Sequence, residues 1–111
     1  MPMLNLKCTR EIPDELKQEL SKAVAETIGK PETYVMVVVE KASILMSGEK
    51  GDAAFADIRS IGGLNREVNQ VLTQKICALL HELLLIPSDR VYVTFQSVER
   101  DHWGWNGATF G

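Results

Sequence analysis

Near the start of the chain Leu4, Leu6 and Cys8 alternate with Asn5, Lys7 and Thr9. That is the two-residue period of a strand with one buried face. From about Pro13 the period lengthens, and Leu16, Leu20, Ala23, Val24 and Ile28 fall on one stripe of a helix. Proline suits a first helical turn, and Asp14 and Glu15 there complement the positive end of the helix dipole. Gly29 is a natural stop, and Pro31 prevents continuation. "YVMVVVE", Tyr34 to Glu40, then predicts a strand apolar on both faces. The same order returns: a strand over 53–61, a break at Gly62-Gly63, and a helix from about Asn65. Its stripe is Val68, Leu72, Ile76, Leu79 and Leu83, and Pro87 ends it before the closing strand "RVYVTFQSV". "SGEKGD", Ser47 to Asp52, is a turn-rich loop between the halves.

A shift of 56 residues superposes the two halves without a gap. Leu16 falls on Leu72, Leu20 on Ile76, Val24 on Leu80, Pro31 on Pro87, Val37 on Val93 and Val39 on Phe95. Such self-similarity marks two copies of one supersecondary unit, here pseudo-repeats at about 1–40 and 53–98. Each reads strand, helix, strand, which joins parallel strands by a right-handed crossover. The expected fold is an α/β (α+β) sandwich over residues 1–111: a duplicated βαβ forming a four-stranded mixed sheet with two helices on one face. Two helices cover one face only, whereas Val35 to Val39 is the near-continuous apolar run of a strand buried on both. The open face is therefore expected to meet other subunits. The tail at 99–111 adds Trp103, Trp105 and Phe110 around Asn106-Gly107, a hairpin-turn pair, and these are too apolar to leave together in water. A homo-oligomer follows.

Composition narrows the chemistry. A net charge of −3, with the basic residues scattered, gives no electrostatic case for nucleic acid or an anionic membrane. No apolar run approaches the roughly 18 residues of a membrane span, and the start lacks a signal-peptide pattern. Cys8 and Cys77 stand far apart and His81 and His102 are isolated, so neither a metal site nor a structural disulfide is expected. Reduced cysteines without a leader point to a cytoplasmic protein.

The opening "MPMLNL" poses the chemical question. Proline directly after the initiator can simply start a strand, since it has no N–H to give a ladder. If Met1 is trimmed, however, Pro2 exposes a secondary amine that no side chain duplicates. Gly62-Gly63 before a helix could form a phosphate-binding nest, but without Walker-type spacing the turn and capping role is the better account.

Taken together, "MPML" at the start, "GKPETYV" at 29–35, "SIGGLN" at 60–65, "PSDRVYVTF" at 87–95 and "GWNGATF" at 104–110 carry a resemblance to the tautomerase superfamily. The chain most resembles its macrophage migration inhibitory factor branch, which includes D-dopachrome tautomerase. The resemblance implies a homotrimer whose sheets enclose a barrel-like centre, with three active sites at subunit boundaries. It implies cofactor-free keto–enol tautomerisation of phenylpyruvate-like α-keto acids or dopachrome-like substrates, with Pro2 as the general base.

By the same resemblance Lys30 binds substrate, although a cation near the end of a helix also satisfies its last carbonyls. Ile61 contributes its backbone; from the residues alone it reads as core. Tyr92 supplies a hydroxyl, Trp105 lines the pocket, and Trp103 narrows its entrance or packs at a subunit boundary; Met3, next to Pro2, is expected from the residues alone as an apolar wall. Thr94 stands where the animal cytokine has asparagine, a departure that bears on the distal end of the substrate. The cytokine's CxxC aligns with Ala53 and Ala56, so dithiol chemistry is not expected. Cys77 reads as an inert core thiol. The animal relatives are also cytokines exported without a leader. An alternative is therefore a signalling protein with a vestigial pocket and a receptor partner, and a weaker third is a lyase or hydratase using the same amine.

Overall fold

The computed structural model describes the whole chain, Met1–Gly111. Strand β1 (Pro2–Cys8) leads into helix α1 (Asp14–Ile28) and strand β2 (Met36–Lys41). Strand β3 (Ala54–Ser60), helix α2 (Arg66–Leu84) and strand β4 (Val91–Ser97) repeat that order. Two short strands, β5 (Gly104–Trp105) and β6 (Ala108–Thr109), close the chain as a hairpin. The main sheet runs β2-β1-β3-β4; both outer pairs are parallel and the central pair is antiparallel. Each helix thus returns the chain parallel to the strand it left, and the two units meet edge to edge.

The helix ends follow from local chemistry. Pro13 precedes α1 in extended conformation, and Gly29 ends it at φ 79° with its N–H donating to the Ala25 carbonyl. Asn65 caps α2 by accepting the Val68 N–H at 2.9 Å. At the other end Leu85 takes the left-handed conformation, φ 58°, that a glycine would take more cheaply.

The core lies between the helices and one face of the sheet. Leu4, Leu6, Cys8, Ala54, Ala56 and Ile58 meet Leu16, Leu20, Val24, Leu72, Ile76 and Leu80, all essentially without exposure. Four sequence expectations need correction. The residues before Met36 are not strand: Glu32–Tyr34 form a 3-10 turn, because Pro31 has already bent the chain. The buried row of α2 runs through Leu72, Ile76, Leu80 and Leu84, while Val68, Leu79 and Leu83 flank it half-buried. Cys77 stands one position round from Ile76, about 100° away on the helix. It is only half-buried and lies outside the core, with burial still raising its thiol pKa.

The fourth correction concerns the open face. Only β2 is apolar on both sides. Across the sheet the open rows read Met36–Met3–Arg59–Gln96, Val38–Asn5–Asp57–Thr94 and Glu40–Lys7–Phe55–Tyr92. The Asp57 carboxylate accepts from Thr94 Oγ1 at 2.8 Å and from Arg59 Nε at 3.0 Å. Beside it the Asn5 Oδ1 is buried without a hydrogen-bond partner.

Candidate active site

The amino end of β1 is built into the protein rather than left free. Pro2 pairs with Ser60 across the antiparallel ladder and is fully buried, while Met3 sits between Arg59 and Met36. The Ile61 N–H donates to the Met1 carbonyl at 3.4 Å, and the Ser60 hydroxyl donates to the Gly62 carbonyl at 2.7 Å. The turn after β3 is in turn pressed against the end of α1. A Cβ on Gly63, whose φ is +82°, would lie 2.6 Å from Ile28 Cγ2 and 3.2 Å from the Ile28 carbonyl oxygen. Only glycine allows this approach, and the approach brings Ile61 and Lys30 to the same place.

There a cavity of about 490 Å³ is lined by Met1, Lys30, Pro31, Tyr34, Ile61, Arg100, Trp105 and Phe110. A neighbouring depression of about 430 Å³ shares Met1, Tyr34 and Trp105 and adds Pro2, Met3 and Trp103 among its walls. The terminal hairpin supplies the aromatic side. Asn106 and Gly107 turn at φ 51° and 84°, the left-handed pair a tight hairpin requires. Across that turn the Trp105 and Phe110 rings stack, their centres 6.2 Å apart and their planes 6° from parallel. The terminal amine is pushed below the usual α-amino range, first by burial and then by the positive charge of Lys30. Loss of solvation and a like charge both disfavour the protonated form.

Six of the eight site residues expected from sequence therefore gather at one end of the sheet: Pro2, Met3, Lys30, Ile61, Trp103 and Trp105. Tyr92 and Thr94 do not join them. They stand on β4, two strands away, and Tyr92 pairs through Phe55 with the level of Lys7. At ordinary sheet spacings that is about 10 Å across and about 17 Å along from Pro2. Tyr92 is 66% exposed and Thr94 is bonded to Asp57. Within one chain neither reaches the amine.

Tyr34, Arg100 and Phe110 also line the cavity, although the sequence does not mark them as site candidates. Tyr34 and Phe110 lie inside motifs already singled out, "GKPETYV" and "GWNGATF", and were absorbed there as strand and tail. Arg100 had no signal at all, because a 3-10 turn, Arg100–His102, carries it to the cavity. No three side chains among His, Cys, Asp and Glu come close enough together to hold a metal ion.

The sequence profile described as Macrophage migration inhibitory factor (MIF) matches residues 1–111. Macrophage migration inhibitory factor of Xenopus laevis is 32% identical over 114 residues, covering 99% of each chain. Among solved structures, the homologue from Prochlorococcus marinus superposes with a TM-score of 0.93 at 34% identity, covering 98% of this chain and 99% of its own. The Toxoplasma gondii protein gives 0.93 at 28% identity, covering 97% and 99%.

Proposed function

Because the chain belongs to the macrophage migration inhibitory factor family, within the tautomerase superfamily, we propose that it is a cofactor-free tautomerase of phenylpyruvate-like or dopachrome-like substrates. Membership supports an isomerase-type enzyme; the substrate and the residue roles are our own assignment. One observation carries it: a partly buried chain terminus, disfavoured as a cation, opens on a cavity beside Lys30.

Removal of Met1 would make Pro2 the amine. A prolyl nitrogen is intrinsically more basic than the ordinary α-amino group, at roughly 7.7–8.0, and must be pushed down to be neutral at pH 7. Pro2 is fully buried, and the burial and Lys30 charge that lower the Met1 amine would act on it in that direction. The neutral nitrogen takes a proton from the carbon beside the keto group, whose electrons move onto oxygen as an enolate. Returning that proton to the oxygen gives the enol and restores the base. General base catalysis of this kind contributes on the order of 10²–10⁴ in rate.

Lys30 holds the substrate carboxylate. Loss of Met1 also removes the carbonyl that the Ile61 N–H now meets, which frees that donor for a substrate oxygen. Met3, Trp103 and Trp105 form the walls. Tyr92 and Thr94, out of reach within one chain, serve the site of a neighbouring copy, which is why we propose a trimer with its active sites between subunits. The unpaired Asn5 Oδ1 and the exposed Met36 and Val38 on the open face suit such an assembly.

The test is a phenylpyruvate tautomerase assay on protein shown by intact mass to lack Met1, beside a Pro2→Ala variant. Wild type should exceed the variant by at least about 10²-fold. Equal rates would remove the proposal. An inactive Met1-free protein would leave the family's signalling role as the better account. No helix of the chain is long and apolar enough to cross a membrane. We propose a cytoplasmic protein, in keeping with its two free cysteines.

A further inference from the structure

The cavity holds two cations and no carboxylate. Lys30 and Arg100 both line it. The seven ion pairs of the chain engage Lys7, Arg10, Lys17, Lys22, Lys41, Arg59 and His102, and neither pocket cation is among them. Lys50, Arg66, Lys75 and Arg90 also make no ion pair; what sets Lys30 and Arg100 apart is that they line one cavity without an acidic residue. Two like charges sharing a partly enclosed site repel, and an anion between or across them relieves that repulsion. One α-keto carboxylate needs only one of them.

Arg100 is also held ready. Its Nη2 donates to the Phe110 carbonyl at 3.2 Å, the single hydrogen bond it makes within the chain. A guanidinium has five N–H donors in a rigid fork, so the rest remain free for a planar acid. The bond ties it to the residue whose ring stacks on Trp105. It therefore sits beside the aromatic wall. A groove elsewhere between the helices makes the contrast: there Lys22 and Lys75 stand with Glu19 and Glu26, and charge is balanced without a ligand.

We propose that Arg100 is a specificity-determining residue that receives a second acidic group, so that the substrate is an α-keto acid bearing another carboxylate at its distal end. This rests on the tautomerase assignment above for the first carboxylate and the proton transfer. Lys30 takes the carboxylate next to the reacting carbon; Arg100 takes the far one across the face of Trp105. Distal specificity then comes from a charge-assisted pair that is strongest when bidentate.

The experiment compares phenylpyruvate with 4-carboxyphenylpyruvate, which differ only in the second carboxylate, on Met1-free protein. Wild type should favour the dicarboxylate in kcat/KM by about 10-fold, as one hydrogen-bonded charge pair allows. Arg100→Gln should bring that ratio close to one through KM, and Arg100→Lys should restore part of it. A wild-type ratio of one, or a ratio that Arg100→Gln leaves untouched, would overturn the proposal. Should neither compound turn over, the tautomerase assignment fails instead. Binding of phenylacetate and 4-carboxyphenylacetate, followed by the indole NMR signal of Trp105, then tests Arg100 separately. Tighter binding of the dianion that Arg100→Gln abolishes upholds its role, and equal affinities refute it.

Discussion

The two faces of the sheet are written into the same strands and behave as different materials. On β1, Leu4 and Leu6 point to the helices and are wholly buried, while their neighbours Asn5 and Lys7 face the other way in the company of Asp57, Glu40 and Phe55. The covered face closes within one chain: every large side chain there finds apolar partners from α1 or α2. The open face does not close. It mixes charges with exposed Met36, Val38 and Tyr92, and leaves an Asn5 oxygen buried without a donor. Stability therefore resides on one side of each strand, and the groups awaiting a partner on the other.

The largest effect should come from breaking the covered side. Leu6→Ala is expected to cost about 2–5 kcal/mol, the transfer loss plus the cavity it leaves. Asn5→Ala next to it should change single-chain stability by less than about 1 kcal/mol, because an unsatisfied oxygen is removed. Chemical denaturation of both variants checks the asymmetry, and similar losses for the two would erase it.

Somewhat smaller is the effect at the turn that joins the covered side to the cavity. Gly63→Ala should cost about 2–3 kcal/mol, combining left-handed backbone strain with overpacking against Ile28. Gly62→Ala, where a Cβ meets nothing within 4 Å, should cost only about 1–2 kcal/mol of backbone strain. Thermal unfolding of the pair separates packing from backbone.

Tyr92→Phe probes the open side. Folding stability should move by less than about 0.5 kcal/mol, as for an exposed position. The tautomerase kcat/KM of the assembled protein should fall by about 10-fold, the value of one hydroxyl hydrogen bond to substrate. An unchanged rate would sever Tyr92 from the site.

The smallest effect lies at the far end of β1. The Asp52 carboxyl is held below its usual range, first by hydrogen bonds from Arg10 and Thr9. A depressed carboxyl pKa adds stability above the unfolded value, near 3.9, and that contribution disappears as pH falls through the lower folded value. Asp52→Asn should therefore lower the neutral plateau slightly, leave stability at the acid end nearly unchanged, and so flatten the fall between them. Denaturation midpoints measured between pH 2 and pH 7 would reveal it.

Much of the fold was legible because it rests on short-range rules. The alternation of β1, the stripe of α1, the Gly29 stop and the Asn106-Gly107 turn each depend on residues within a few positions of one another. Legibility failed where two local rules competed. Tyr34 belongs to an apolar run but follows Pro31, and the turn won. Along α2 nearly every third or fourth position is apolar, so sequence could not say which row faces the sheet. Packing against α1 chose Leu80 and Leu84 over Leu79 and Leu83. Of the site, the resemblance supplied candidates, but it could not say that Arg100 would share a cavity with Lys30.

By itself, then, the order of residues determined the strands, the helices, their stops and the pairing of two like halves, because periodicity and turn chemistry act over a single turn or pleat. Tertiary structure alone decided which side chains surround the terminus. Residues 1, 30, 61, 100 and 105 are neighbours only because β1 lies between β2 and β3 and the last hairpin folds back over their ends. The same geometry puts Tyr92 at the opposite corner of the sheet, since strand order and register, set by burial of the covered face, leave a side chain on β4 no path to the start of β1.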